Sequence, residues 1–152
     1  MSMAETKESV RAMIAKYGKD IEELCRYLPW LESKKGQDVG GKYEPGEGKA
    51  NTISVPTYDS NLLAFVKKVQ KTGFYRKNYV YTYSRNHIRT AEDEHRMIDK
   101  CSLMEIETIG DIVTSYVMKG MTKAYMWTEG VKNGVFFHAV SRMKELVDFW
   151  SA

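Results

Sequence analysis

Apolar positions along the chain fall into helical stripes, interrupted once by a long polar stretch. Val10, Met13, Ile14 and Tyr17 recur at helical spacing and predict a first helix over about 5–17, with Gly18 as its end. Asp20-Ile21-Glu22-Glu23 then reads as a second start, with Asp20 as N-cap and Glu23 three residues on; Ile21, Leu24, Cys25 and Leu28 share one face. Proline removes an amide donor and crowds the preceding turn, so this helix kinks at Pro29 or stops just before it. Leu62, Phe65, Val66 and Val69 make a stripe capped by Asp59 or Ser60 and ended by Gly73. Thr90 with Asp93, and Ser102 with Glu105, carry the spacing of two further N-termini. Ile106, Ile109, Val113 and Tyr116 or Val117 form a face that stops at Gly120. Thr122 caps a short helix to about Asn133, where Asn133-Gly134 supplies a left-handed terminator. Phe136, Ala139, Val140, Met143, Val147 and Trp150 are in register on a last helix.

Two segments break the pattern. Residues 33–51 hold Gly36, Gly40, Gly41, Gly46, Gly48 and Pro45 among polar side chains and predict a flexible Gly-rich loop, mobile or functional. Asn51 to Val55 can form one short strand, closed by Pro56. In 74–90, Tyr79, Tyr81 and Tyr83 alternate as in a strand, yet Arg85 to Arg89 lacks strand composition, and a helix beginning near Asn78 is preferred. The expected fold is mainly α: one compact multi-helix domain over residues 1–152, with six to eight helices, the long Gly-rich loop, and at most one or two short strands. No internal repeat or low-complexity tract appears.

A chain of 152 residues buries enough surface to fold without a metal or disulfide staple. With 43% hydrophobic and 28% charged residues it is not collagen-like, mucin-like or wholly disordered. No run approaches the roughly 18 apolar residues of a membrane helix, and Met1-Ser2-Met3-Ala4-Glu5 does not start a secretory signal. Cys25 and Cys101, the only cysteines, both fall in apolar helical patterns. They read as reduced, partly buried thiols of a cytoplasmic protein; a redox pair or reactive nucleophile is the alternative. The net charge of +3 is uninformative, but its distribution is not. Lys67, Lys68, Lys71, Arg76, Lys77, Arg85 and Arg89 stand in 60–91 without an acid, followed by Glu92, Asp93, Glu94, Asp99, Glu105 and Glu107 against Arg96 and Lys100. These blocks are either a dipolar steering surface or two solvated helix faces that answer each other.

Most catalytic patterns fail on inspection. Gly36 to Lys42 has the Gly-x4-Gly-Lys spacing of a phosphate-binding loop, but Tyr43 stands where a hydroxyl must hold magnesium, and no strand precedes it, so a glycine-rich linker is the reading. Glu92 and His95 are spaced as half of a carboxylate-bridged di-iron motif, but His138 has Val135 three residues earlier and supplies no second half. No Cys/His spacing fits zinc and no Gly-x-Ser-x-Gly elbow is present. The expectation is therefore no metal and no cofactor. Trp127, Phe136, Phe137 and Trp150 are expected in the core.

The suggestive stretch is 74–89, where Tyr75, Arg76, Lys77, Tyr79, Tyr81, Tyr83, Arg85 and Arg89 interleave rings with fixed charge. Such a segment can stack on bases and meet phosphates, can anchor a protein interface, or can simply edge the core.

Three further segments carry a resemblance: Tyr27-Leu28-Pro29-Trp30-Leu31-Glu32; Val55-Pro56-Thr57-Tyr58 with Phe65-Val66 and Gly73-Phe74; and Asn133-Gly134 through Arg142-Met143-Lys144-Glu145-Leu146. Together they resemble a small family of uncharacterised bacterial and mobile-element proteins of unknown function. The resemblance implies a mainly helical fold and a bacterial or phage origin, and no activity. That family tends to carry an Arg-Phe pair and a glycine before its final helix, where this chain has Met121-Thr122 and Tyr125. The expected function is a non-catalytic, cytoplasmic protein-binding domain whose partner is another protein or a second copy, not a membrane. A nucleic-acid binder using the same segment is the alternative. A small enzyme is third, raised if a deep pocket holds His95 or His138 beside a carboxylate.

Overall fold

The helix over Ile106–Lys119 has ten of its fourteen residues buried, from Ile106 through an unbroken run Ile109 to Val117. A helix covered on every side must sit in the middle of its fold, and the other elements are arranged around this one. The computed structural model describes residues 6–37, 39–43, 55–123 and 125–151. Among them are eight α-helices: α1 (Lys7–Cys25), α2 (Leu28–Lys34), α3 (Ser60–Gln70), α4 (Tyr79–Arg85), α5 (Ala91–Lys100), the central α6 (Ile106–Lys119), α7 (Tyr125–Lys132) and α8 (Val135–Ser151). A 3-10 turn, Leu103–Glu105, leads into α6. Strands β1 (Gly40–Tyr43) and β2 (Val55–Tyr58) pair antiparallel, Gly40 opposite Tyr58 and Tyr43 opposite Val55. Helices α3, α4, α5, α7 and α8 all pack on α6, while α8 reaches across to α1 and α2. The result is the mainly helical, compact domain that the stripes predict.

Several boundaries move, each for a stated physical reason. Gly18 does not end the first helix; α1 runs on to Cys25. A mid-helix glycine costs about 1 kcal/mol, which burial of Val10, Tyr17, Ile21 and Leu24 on one continuous stripe outweighs. Asp20 is accordingly no N-cap; its carboxylate accepts the Gly73 amide at 2.9 Å and ties α1 to the turn after α3. Thr6 caps α1, in a reciprocal box with Ser9. Pro29 does end α1 early, but it does so from the first turn of α2, where its missing N–H is harmless. Helix α3 stops at Gln70 rather than Gly73. Pro56 lies inside β2 instead of closing a strand; of the expected strand at 51–55, all but Val55 falls outside the described residues. Within the expected loop 33–51, Ser33 and Lys34 finish α2 and Gly40–Tyr43 form β1; Asp38 and 44–51 lie outside the described residues. The hard segment is a helix, α4, with Asn78 as its N-cap. The starts at Asp59, Thr90 and Ser102 and the terminator at Gly134 (φ +78°) are as expected.

Phe136 is fully buried, while Trp127, Phe137 and Trp150 are half-buried against the core. Phe74 stacks on Tyr17 with ring centroids 4.4 Å apart and packs closely against Gly110 of α6. A Cβ at Gly110 would stand 2.2 Å from the Phe74 ring, so the close approach of 74–83 to α6 requires glycine there. Gly110→Ala is therefore expected to destabilise the fold by about 1–3 kcal/mol through overpacking, despite the gain of roughly 1 kcal/mol in helix propensity. A urea midpoint at or above the wild-type value refutes this packing.

Candidate functional site

The segment 74–89 splits into an inward and an outward set. Arg76 turns inward: its guanidinium lies 3.3 Å from Asp111 Oδ1 and 3.6 Å from Glu107 Oε1 on α6. Thr82 donates to Asp111 Oδ2 at 2.6 Å, completing the donors around a carboxylate that is 2% exposed. Burial raises the Asp111 pKa, against the opposing pull of the Thr82 hydroxyl and Arg76. Burial also acts to raise Glu107, but hydrogen bonds from Tyr17 and Lys16 and the charge of Arg76 hold it below the usual carboxylate range. Tyr75 is half-buried against the core. Tyr79 and Tyr83 meet edge to face, and Lys119 sits over the Tyr83 ring.

On the outward side, Tyr81 is 71% exposed and Val80 56%. Arg85 lies four residues after Tyr81 and Lys77 four residues before it, just ahead of the Asn78 cap. Lys77, Arg85 and Arg89 are exposed and form no ion pair among the described residues. Helix α4 buries no residue at all. Its end is fixed by His87, which takes a left-handed backbone (φ 54°) so that the Ile88 amide returns to the Tyr83 carbonyl at 3.0 Å and Ile88 enters the core.

A chain of polar contacts leads from α4 into the bundle. Tyr83 Oη donates to Glu94 Oε2 at 2.5 Å and lies 2.7 Å from Ser115 Oγ. Glu94, 6% exposed on α5, accepts a second 2.5 Å bond from Tyr116 on α6. Burial, reinforced by Glu94, pushes both tyrosine hydroxyls well above their ordinary pKa, so they remain donors. Asn133 donates from Nδ2 to Tyr116 Oη at 2.8 Å, and its carbonyl faces His95 Nε2 at 2.9 Å. His95 Nδ1 and His138 Nδ1 are 2.6 Å apart, and His138 Nε2 is 2.6 Å from Asp99 Oδ1. Arg142 on α8 closes the end of α5 by donating to the Cys101 and Asp99 carbonyls.

The histidines line an open cleft of about 400 Å³ with Lys35, Asn133, Gly134, Phe137 and Ser141. A histidine beside a carboxylate in a cleft is the feature that raises the enzyme reading. Here all four ring nitrogens have protein partners. No group of three or more His, Cys, Asp or Glu side chains among the described residues could hold a metal ion. Cys25 and Cys101 are both free thiols. Among the described residues no helix is long and apolar enough to cross a membrane.

Sequence reasoning names the eight residues of 74–89 and separates none of them. Periodicity cannot tell an outward Tyr81 from an inward Tyr83, because the partners of Tyr83 lie 11 and 32 residues away. It also passes over Glu94 and Asp111, whose only sequence signal is an acid on the apolar face of a helical stripe. No protein-family model, curated protein or solved structure matches the chain, so the functional reading rests on its own residues.

Two outcomes follow from these contacts. Arg76→Ala is expected to cost a few kcal/mol at neutral pH, below the roughly 3–5 kcal/mol of a fully buried pair because Arg76 is a third exposed. A lowered carboxylate pKa stabilises above the ordinary range and is lost on acidification, so the deficit shrinks as pH falls through the carboxylate range. Equal stability of variant and wild type in urea at pH 7 would refute the pairing. Burial, with Glu105 nearby, pushes the Cys101 thiol up to about 12, so it stays unmodified by iodoacetamide at pH 8 until the chain is denatured. Labelling of Cys101 in the native protein would contradict that burial.

Proposed function

We propose that the chain is a non-catalytic binding module that docks through the outer face of α4 onto an acidic protein surface. The observation that carries this reading is Tyr81, 71% exposed on α4, with Lys77 four residues before it and Arg85 four after; these and Arg89, beyond the helix end, are exposed, and none of the three side chains forms an ion pair among the described residues. A large ring held in water beside exposed cations is the composition of an interface anchor with a steering rim. Tyr81 fills a pocket of the partner, Val80 widens the apolar contact, and the cations align the encounter.

A nucleic-acid partner is the less supported reading. Arg76 is neutralised by Asp111 and Glu107, and the Tyr83 hydroxyl is committed to Glu94. What remains in 74–89 is one largely exposed ring and three cations without an ion pair among the described residues, for which single-stranded binding has a salt slope of only about −2.

A photo-crosslinking residue placed at Tyr81 is expected to capture a protein, with the same residue at exposed Glu32 as control. Capture is lost in Lys77→Ala/Arg85→Ala/Arg89→Ala, and Tyr81→Ala weakens the complex by about 30-fold or more, the scale of a 2 kcal/mol hot spot. These surface changes leave the unfolding free energy measured in urea within about 0.5 kcal/mol of wild type. Equal capture at both positions defeats the proposal. Oligonucleotide binding that depends on the same three cations transfers it to the runner-up.

A further inference from the structure

The proton inventory of the His95–His138 pair is set by its surroundings. His95 Nε2 faces the Asn133 carbonyl at 2.9 Å, and a carbonyl only accepts, so that nitrogen carries hydrogen. His138 Nε2 faces Asp99 Oδ1 at 2.6 Å, on a carboxylate side chain that is 71% exposed, and donates to it. A neutral imidazole has one N–H, so both rings have now spent theirs. The two Nδ1 atoms nevertheless approach to 2.6 Å. Two bare lone pairs repel at that distance. The ring planes differ by 20° and the centroids are 4.9 Å apart, the full length of the N···N distance plus the two ring radii. The rings therefore meet head-on and nearly coplanar, the arrangement of a linear N–H···N bond, not of two ligands converging at an angle on an ion.

We propose that His95 and His138 share one proton between their Nδ1 atoms, forming a clasp between α5 and the first turn of α8 that closes only within a window of pH. The pair then holds three N–H protons and one positive charge, balanced by Asp99 on α5. Lys35, whose ammonium lies over the Phe137 ring, and Arg142 on α8 are the cations nearby. From α6 the Tyr116 hydroxyl, bonded to Glu94, approaches through Asn133. Asp99 favours the first added proton, while the two cations oppose a second, which would also set two N–H groups head to head.

The unfolded chain sets the sign of the pH dependence. Its two histidines titrate independently near the ordinary value of about 6.5. Below that range the unfolded chain binds two added protons and the clasp one, so stability falls as pH drops. Above it the unfolded chain binds none and the clasp one, so stability falls as pH rises. The contribution of the pair is bell-shaped, with its maximum within the histidine range.

The test uses the EDTA-treated full chain with 15N-labelled histidine, followed by NMR and urea unfolding between pH 5 and 8. A single strongly deshielded proton coupled to both Nδ1 atoms is expected in the middle of the range, fading on either side, together with a bell-shaped stability profile. His95→Gln and His138→Gln each remove the signal and the bell. Should those variants fail to fold, exposed Asp99→Asn, which removes the balancing charge, weakens the signal and moves the high-pH limb to lower pH. Two histidines that titrate independently, with stability changing in one direction across the range, overturn the proposal. So does one equivalent of Zn2+ that shifts both Nδ1 resonances and raises the urea midpoint, since that makes the pair a metal site.

Discussion

Two carboxylates, Glu94 on α5 and Asp111 on α6, are buried inside a helical bundle, and much of the layout around α6 follows from the donors they require. An ionised side chain withdrawn from water without partners costs far more than a domain's whole stability margin. Asp111 is met by Arg76 and Thr82, and Glu94 by Tyr83 and Tyr116. Three of those four donors come from 76–83, the stretch of chain that the sequence leaves hardest to assign. The segment is held against α6 by these bonds, by Phe74 lying on Gly110, and by the Thr114 hydroxyl donating to the Phe74 carbonyl at 2.6 Å.

This accounts for the unusual character of α4. A seven-residue helix is not stable by itself in water, and α4 has no fully buried residue; the half-buried Tyr83 ring is its contact with the hydrophobic core. It persists because one edge supplies the hydroxyls of Thr82 and Tyr83 and because His87 turns Ile88 into the core. Polar attachment of one edge leaves the opposite side without any packing duty. Tyr81, Val80 and Arg85 are exposed there for the same reason that Tyr83 is not.

How much of this the sequence reveals depends on the range of the interaction. The caps at Thr90 and Ser102, the α6 stripe and the Gly134 terminator depend on residues three or four apart, and the pattern gives them directly. Gly18 and Asp20 mislead because local propensity there is overruled by a stripe that continues to Leu24 and by an acceptor needed at Gly73, 53 residues on. His95 and His138 are 43 residues apart, and each has an unremarkable local pattern. Only the packing of α5 on α8 brings them face to face. The eight named residues at 74–89 mark the right segment, but which of them face solvent is decided by Glu94 and Asp111.

The contacts from Ser115 through Tyr83, Glu94, Tyr116 and Asn133 to His95, His138 and Asp99 are continuous, yet continuity is not coupling; that requires an element with two arrangements biased from both ends. The link to examine is Asn133, which serves the two halves with different groups. Its side chain donates to Tyr116 and accepts the Val135 amide at 3.0 Å, while its carbonyl alone meets His95. Loss of the shared Nδ1 proton leaves the His95 Nε2–H on that carbonyl and both side-chain bonds in place, with the turn still set by Gly134. The side chain that orients Tyr116, and with it Glu94 and Tyr83, therefore does not need to move when the proton leaves. By this geometry the outer face of α4 and the α5–α8 clasp share one polar network but act as separable devices, one fixed by buried carboxylates and the other by a proton.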